Sequence, residues 1–147
     1  LIQLKEGESF DIPLRMYTSF EVYSSAGVLL IIIGGDWGKD VGNSGVFTLS
    51  KSINPKNTGD SADYERNTEF DNHFHDMDEY WIIFEGTGRV VTEGTFFEVK
   101  PGDCVVTKKG NHHDFPLVFD TIKGVYFETT LKGEKRLGHL WNHTHTR

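Results

Sequence analysis

Four side chains of this sequence have the types and spacing to hold one cation. His73 and His75 stand one residue apart, Glu79 follows four residues after His75, and a second cluster, His112-His113, lies downstream. On a β-strand, side chains two positions apart point to the same face, with their roots about 6.6 Å apart. Two imidazoles so placed can converge on one ion at the usual bond length of about 2.1 Å. Phe74 then turns to the opposite face, as an apolar packing residue should. Glu79 cannot lie on the same straight strand, because six residues at about 3.3 Å each would carry it roughly 20 Å from His73. The chain must fold back, and Asp76-Met77-Asp78 suits a turn because aspartates bend turns through their own side-chain hydrogen bonds. Glu79 then opens a returning strand, Tyr80 to Phe84, beside the histidines.

In the expected strand His112 to Phe119 the two neighbouring histidines face opposite ways. His113 shares its face with Phe115 and Leu117, which suits an interior. His112 shares its face with Asp114, which suits a polar surface or rim. His113 is therefore the choice for the third histidine, and a turn at Lys108 to Asn111 lets a hairpin bring it beside the others. Three neutral imidazoles and a carboxylate suit Fe(II), Mn(II), Ni(II), Co(II) or Zn(II), and argue against Mg and Ca, which prefer oxygen shells. Four protein ligands leave two open octahedral positions for substrate, O₂ or water. Each histidine should have an acceptor that orients it, with Trp81, Phe115 and Leu117 lining an apolar pocket. Tyr126 and Glu128 lie on the last expected strand, and the expectation is that one of the two enters the barrel. Glu128 is the candidate catalytic residue, as a general base, set against a solvated strand carboxylate.

The elements that must position these residues read as short strands: Phe70 to His75, Glu79 to Phe84, Gly88 to Thr92, Phe96 to Val99, Cys104 to Thr107, His112 to Phe119 and Lys123 to Thr130. Their breaks carry Glu85-Gly86-Thr87, Glu93-Gly94 and Pro101-Gly102-Asp103. Strands of this length at this spacing suggest an all-β barrel or sandwich. Before them, Leu1 to Ile12 reads as two short strands broken at Gly7. Pro13 interrupts before Leu14 to Tyr17, and Phe20 to Tyr23 reads as another strand. Val28 to Ile33, a continuous β-branched run ended by Gly34-Gly35, reads as a fully buried strand. Asp36 to Gly45 reads as a loop, Val46 to Leu49 as a strand, and Ser50 to Asn67 as a long, mobile surface connection. Residues 131–147 form a basic arm that packs Leu137, Leu140 and Trp141. Its His139, His143 and His145 offer a weaker alternative for a second metal site. The expected division is one domain: 1–68 as N-terminal strands and loop, 69–130 as barrel core, and 131–147 as arm.

A chain of 147 residues suits one domain. A net charge of −7 argues against nucleic acid and anionic membranes as partners. The single cysteine, Cys104 in an apolar run, excludes an internal disulfide and reads as a buried structural thiol. No apolar run approaches the ~20 residues of a membrane span, and a reducing, cytoplasmic location fits.

The two histidine segments together resemble the motifs of the cupin superfamily, the small double-stranded β-helix (jelly-roll) barrels. The first motif is Gly, five residues, His-x-His, three or four residues, Glu, six residues, Gly. Here His73, His75, Glu79 and Gly86 match, and Asn67 stands where the first Gly would be. The second is Gly, five residues, Pro-x-Gly, two residues, His, three residues, Asn. Here Gly102, Gly110 and His113 match, while Lys108 replaces the Pro and Leu117 the Asn. The resemblance implies an all-β jelly-roll barrel, one divalent metal on His73, His75, Glu79 and His113, and a homodimer whose N-terminal strands pack on the neighbour. Because one fold hosts many functions, three readings stand. One is a metal-dependent oxygenase, isomerase or lyase acting on a small polar metabolite such as a sugar or keto acid. Another is a non-catalytic module that senses a small ligand. The third is a structural metal closed by a fourth histidine or the tail.

Overall fold

The computed structural model describes residues 2–8, 10, 12, 18–32, 39–131 and 137–142. Leu14 to Tyr17, Ile33 with its Gly34-Gly35 stop, His143 and His145 lie outside them. Every regular strand or sheet element is β: β1 (Lys39–Leu49), β2 (Phe74–His75), β3 (Asp78–Thr92), β4 (Thr95–Val99), β5 (Cys104–Thr107), β6 (His113–Leu131) and β7 (His139–Leu140). All pairings are antiparallel. β1, β6, β3 and β4 lie side by side, β5 adds to β3, and β2 pairs with β7.

Two long strands organise the sheet. The expected strands 79–84 and 88–92 are one element, β3, and 112–119 and 123–130 are nearly one, β6. β3 pairs with β6 along almost its whole length, while its other edge takes β5 near Glu79 to Ile82 and β4 near Gly88 to Thr92. Their register shifts at four places, so the paired ribbon bends around the core instead of running flat. Gly86 sits at one of these bends with φ +82°, and a Cβ there would meet the Thr121 carbonyl oxygen at 2.1 Å. That explains the glycine at the end of the first motif. The core contains Trp81, Ile83, Val90, Val99, Val105, Phe115, Val118 and Ile122.

Several expectations need correction. Residues 2–8, 10, 12, 20–23 and 28–32 form no strand, and Val28, Leu29 and Ile32 are exposed. A β-branched run becomes a buried strand only where a neighbour supplies pairing, and none of the described strands pairs with this one. Positions 39–45, expected in a loop, belong to β1, which runs along β6. Cys104 is exposed: β5 buries Val105 and Thr107, so Cys104 and Val106 face out. Leu117 leaves the inner face because three residues of β6 span two of β3 between Arg89↔Leu117 and Val91↔Asp114. This bulge contains Pro116, which lacks a ladder donor, and it turns Val118 inward in place of Leu117.

The 50–67 segment is a strap tied to the barrel, not a loose loop. Asn67 pairs with β6 as a strand residue would. Its backbone N–H donates to the Pro116 carbonyl at 2.8 Å, its side-chain N–H donates to the Val118 carbonyl at 2.9 Å, and its Oδ1 accepts the Val118 N–H at 2.8 Å. The side-chain amide thus gives the residue at the motif's glycine position a structural task of its own. The strap also covers the outer side of β6. Asp114, expected on a rim, is fully buried there, and its carboxylate accepts from the Arg66 guanidinium and from the Tyr64 hydroxyl at 2.8 Å. No helix among the described residues is long and apolar enough to cross a membrane.

Candidate metal centre

The fold gathers the four sequence-predicted donors around His75: it groups with Glu79 and His113 on one side and with His73 on the other. Asp76 and Met77 form the bend that reverses the chain, and Glu79 enters β3 beside the histidines. The second motif is fastened to the first through the backbone: His73 N–H donates to the His113 carbonyl at 3.2 Å, and His113 N–H donates to the His73 carbonyl at 2.8 Å. The turn before His113 is held by Asp78, which accepts from the Lys109 N–H at 3.0 Å and the Lys108 ammonium at 3.1 Å. Lys108 thereby anchors a turn that a proline would instead stiffen.

His73, His75, Glu79 and His113 are all buried. The Nε2 atoms of His73 and His75 lie 2.9 Å apart. Glu79 Oε2 stands 3.2 Å from His113 Nε2 and 3.6 Å from His75 Nε2. The opposite ring nitrogens turn outward to acceptors. His73 Nδ1 donates to the Asp71 carbonyl at 2.8 Å, and His113 Nδ1 donates to the Asn111 carbonyl at 3.1 Å. In that tautomer both Nε2 atoms present lone pairs to the centre. His75 Nδ1 faces the Met77 sulfur at 3.2 Å and Glu128 Oε1 at 3.9 Å.

Electrostatics favour neutral rings at His73 and His75 and an ionised carboxylate at Glu79. Burial, reinforced by His113 and His139, holds His73 well below the ordinary histidine range. Burial likewise lowers His75 to about 4, against the opposing pull of Glu79. Burial alone would raise Glu79, but His113 and His75 beside it outweigh that and keep its carboxyl below the usual value. Neutral imidazoles and a carboxylate are the states that ligate metals. Glu79 Oε2 and His113 Nε2 are buried with no hydrogen-bond partner in this arrangement. A buried donor or acceptor left so costs about 1–3 kcal/mol, and a cation between them would satisfy both. The residues therefore fit a divalent metal.

A cavity of about 610 Å³ opens beside the donors. Phe47, Phe70, Trp81 and Phe115 supply its apolar wall, and Asn43, Thr48, Tyr126 and Glu128 its polar groups. Tyr126 and Glu128 both line it, against the expectation of one, because residues two apart on a strand share a face. Leu117 is not among the lining residues. His112 stays half-buried outside, its Nε2 at 2.9 Å from Asp60 Oδ2, and Phe74 packs against it with ring centroids 4.9 Å apart.

One residue given little weight in the sequence stands at this centre. His139 of β7 stacks on His73, ring centroids 3.8 Å apart and planes 15° apart, and it also lines the cavity. Its distance in sequence from both motifs hid it, and the signal was only its residue type. Within the same arm Leu140 and Trp141 are half-buried as expected, whereas Leu137 is exposed.

The sequence also resembles known proteins. Residues 61–128 match the family model described as a cupin domain. The chain is 49% identical over 116 residues to the uncharacterised protein y4oW of Sinorhizobium fredii, covering 79% of this chain and 54% of that protein. The chain thus spans about half the length of this curated relative. Among solved structures it is similar to the EutQ protein of Clostridium difficile, at 15% identity and TM-score 0.43 over 60% of this chain and 56% of that one. A protein of Neisseria meningitidis gives 18% and 0.42 over 67% and 89%. A cupin protein of Bacteroides fragilis gives 17% and 0.40 over 63% and 67%. The two motifs and the family match fall on the same residues, and residues 61–128 carry a cupin-type domain on an antiparallel all-β sheet.

Proposed function

We propose that His73, His75, Glu79 and His113 hold one divalent transition metal, from among Fe, Mn, Ni, Co and Zn, in a metal-dependent enzyme of the oxygenase, isomerase or lyase type. The observation that carries this reading is the clustering of four buried donors, with Glu79 Oε2 and His113 Nε2 lacking a hydrogen-bond partner and His73 and Glu79 lining a cavity. A bound metal supplies Lewis-acid polarisation of an oxygen ligand. The chain's own residues supply the rest. The carbonyls of Asp71 and Asn111 fix two imidazoles, so little reorganisation is needed on binding. The aromatic wall lowers the local polarity, which strengthens electrostatic interactions beside it. Glu128, on that wall, is placed to take a proton from a molecule held there.

The lining bears on the substrate. Among the described residues it includes Glu79 and Glu128 but no lysine or arginine. Among the described lining residues a phosphate ester would meet two carboxylates and no cationic side chain. A small polar metabolite such as a sugar or keto acid, held through oxygen atoms at the metal, fits better. In the assembly we favour, a homodimer covers the exposed apolar run at Val28, Leu29 and Ile32. A monomeric mass in light scattering at tens of micromolar would refute it.

Elemental analysis of protein purified without added metal tests the centre. Turnover screens with and without oxygen, comparing wild type with His73→Ala, test the chemistry. Activity lost in the variant supports the enzyme. Equal inertness of both, combined with stabilisation by a small molecule, would shift the assignment to a sensing module.

A further inference from the structure

We propose that His139 is a fifth donor to the same metal, delivered by the C-terminal arm, so that metal loading fastens residues 137–142 over the cavity. This rests on the metal reading above and goes beyond it.

Two donor clusters occur among the described residues: His75 with Glu79 and His113, and His73 with His75 and His139. They share His75, and the Nε2 atoms of His73 and His75 lie 2.9 Å apart, so the two clusters adjoin, with His139 on the exposed side of the second. Within the second cluster the candidate ligand atoms lie within 4.8 Å of one another. The arm's backbone sets this position. β7 pairs with β2 so that His139 stands directly opposite His75. Gly138, at φ +88°, makes the bend just before it.

The arm is also tied down beyond that pairing, at three aspartates close to the motif. The Leu137 N–H donates to the Asp76 carboxylate at 2.9 Å, the Trp141 indole N–H to Asp71 at 2.9 Å, and the Asn142 N–H to Asp60 at 2.7 Å. Asp71 is the residue whose carbonyl orients His73. The anchors of the arm and of the centre are thus partly the same residues. Leu137, Gly138 and His139 all line the cavity. Four barrel donors leave two positions of an octahedral shell, and His139 takes one.

Untagged full-length chain, stripped and titrated with Co(II), tests this by absorption spectroscopy and calorimetry. Wild type, His139→Ala, His139→Gln and His113→Ala are compared, with amide hydrogen exchange of residues 137–142 in the presence and absence of Co(II). We expect both His139 variants to weaken Co(II) binding by about tenfold or more, at least the effect of losing an outer-shell partner, and to change the visible bands. Co(II) should slow exchange in the arm of wild type and not in the His139 variants. Binding, bands and arm exchange all equal in wild type and the His139 variants would overturn the fifth donor while leaving the metal in place. Absence of binding in wild type would overturn the metal reading itself.

Discussion

Glu79 and Glu128 are directly paired across β3 and β6 and flank the same imidazole: Glu79 lies 3.6 Å from His75 Nε2, and Glu128 lies 3.9 Å from His75 Nδ1. One ring separates the two carboxylates. Glu79 faces the donor side, and Glu128 faces the ring's rear and the cavity.

Neutralising each carboxylate should therefore give different losses. Glu79→Gln should weaken metal affinity by about 100-fold, the upper end for perturbing such centres. Glu128→Gln should leave affinity near wild type and, once a substrate is known, cut turnover by about 10²-fold or more, as loss of a general base does. Calorimetric titration of both variants checks the first half. Equal losses of affinity would show that Glu128 is a metal-positioning group.

The metal-free protein should lose stability in acid. His75 has an ordinary pKa of 6.5 and a folded value of about 4, so below 6.5 the unfolded chain binds the extra proton and the folded chain resists it. Stability from this ring is complete above that pH and drains away as pH falls toward 4. His73 shifts in the same direction. Urea unfolding of metal-free protein between pH 4 and 7 reads this slope, and a flat profile would contradict buried neutral rings.

Arg66→Ala should destabilise the fold by about 3–5 kcal/mol, because it strands the buried Asp114 carboxylate. The same arginine also donates to the Phe70 carbonyl at 2.7 Å. Adding Asp114→Asn to Arg66→Ala should restore part of the loss. Denaturant midpoints of the single and double variants measure it, and strict additivity would deny the coupling.

Metal removal should leave the barrel folded. Trp81, Ile83, Val90, Phe115, Val118 and Ile122 make a core that requires no ion. A chelator should lower the melting temperature only as mass action dictates and keep the near-ultraviolet dichroism of Trp81 and its aromatic neighbours. Collapse on chelation would assign the metal a structural task.

The sequence made the centre legible because its chemistry is local. His-x-His has the period of a strand, the aspartates mark a turn, and the face shared with Phe115 separates His113 from His112. What it concealed depends on distant partners. Asp114 looks like a rim residue until Arg66 and Tyr64 arrive from the strap. Leu117 looks inward until the bulge at Pro116 changes the phase of β6. Cys104 looks buried because its neighbours are apolar, yet β5 alternates and turns it to solvent. The apolar run at Val28 carries a strand pattern with no described strand beside it. His139 belongs to the same class, since only the pairing of β7 with β2 brings it home.

The reciprocal hydrogen bonds between His73 and His113 weld the two motifs at one rung of the sheet, so the spacing of these donors is set by backbone pairing and not by their side chains. The strap and the terminal arm hang from that same rung, the strap through Arg66 and Asn67 and the arm through Asp71 and Asp76, so a change in either is felt at the donors.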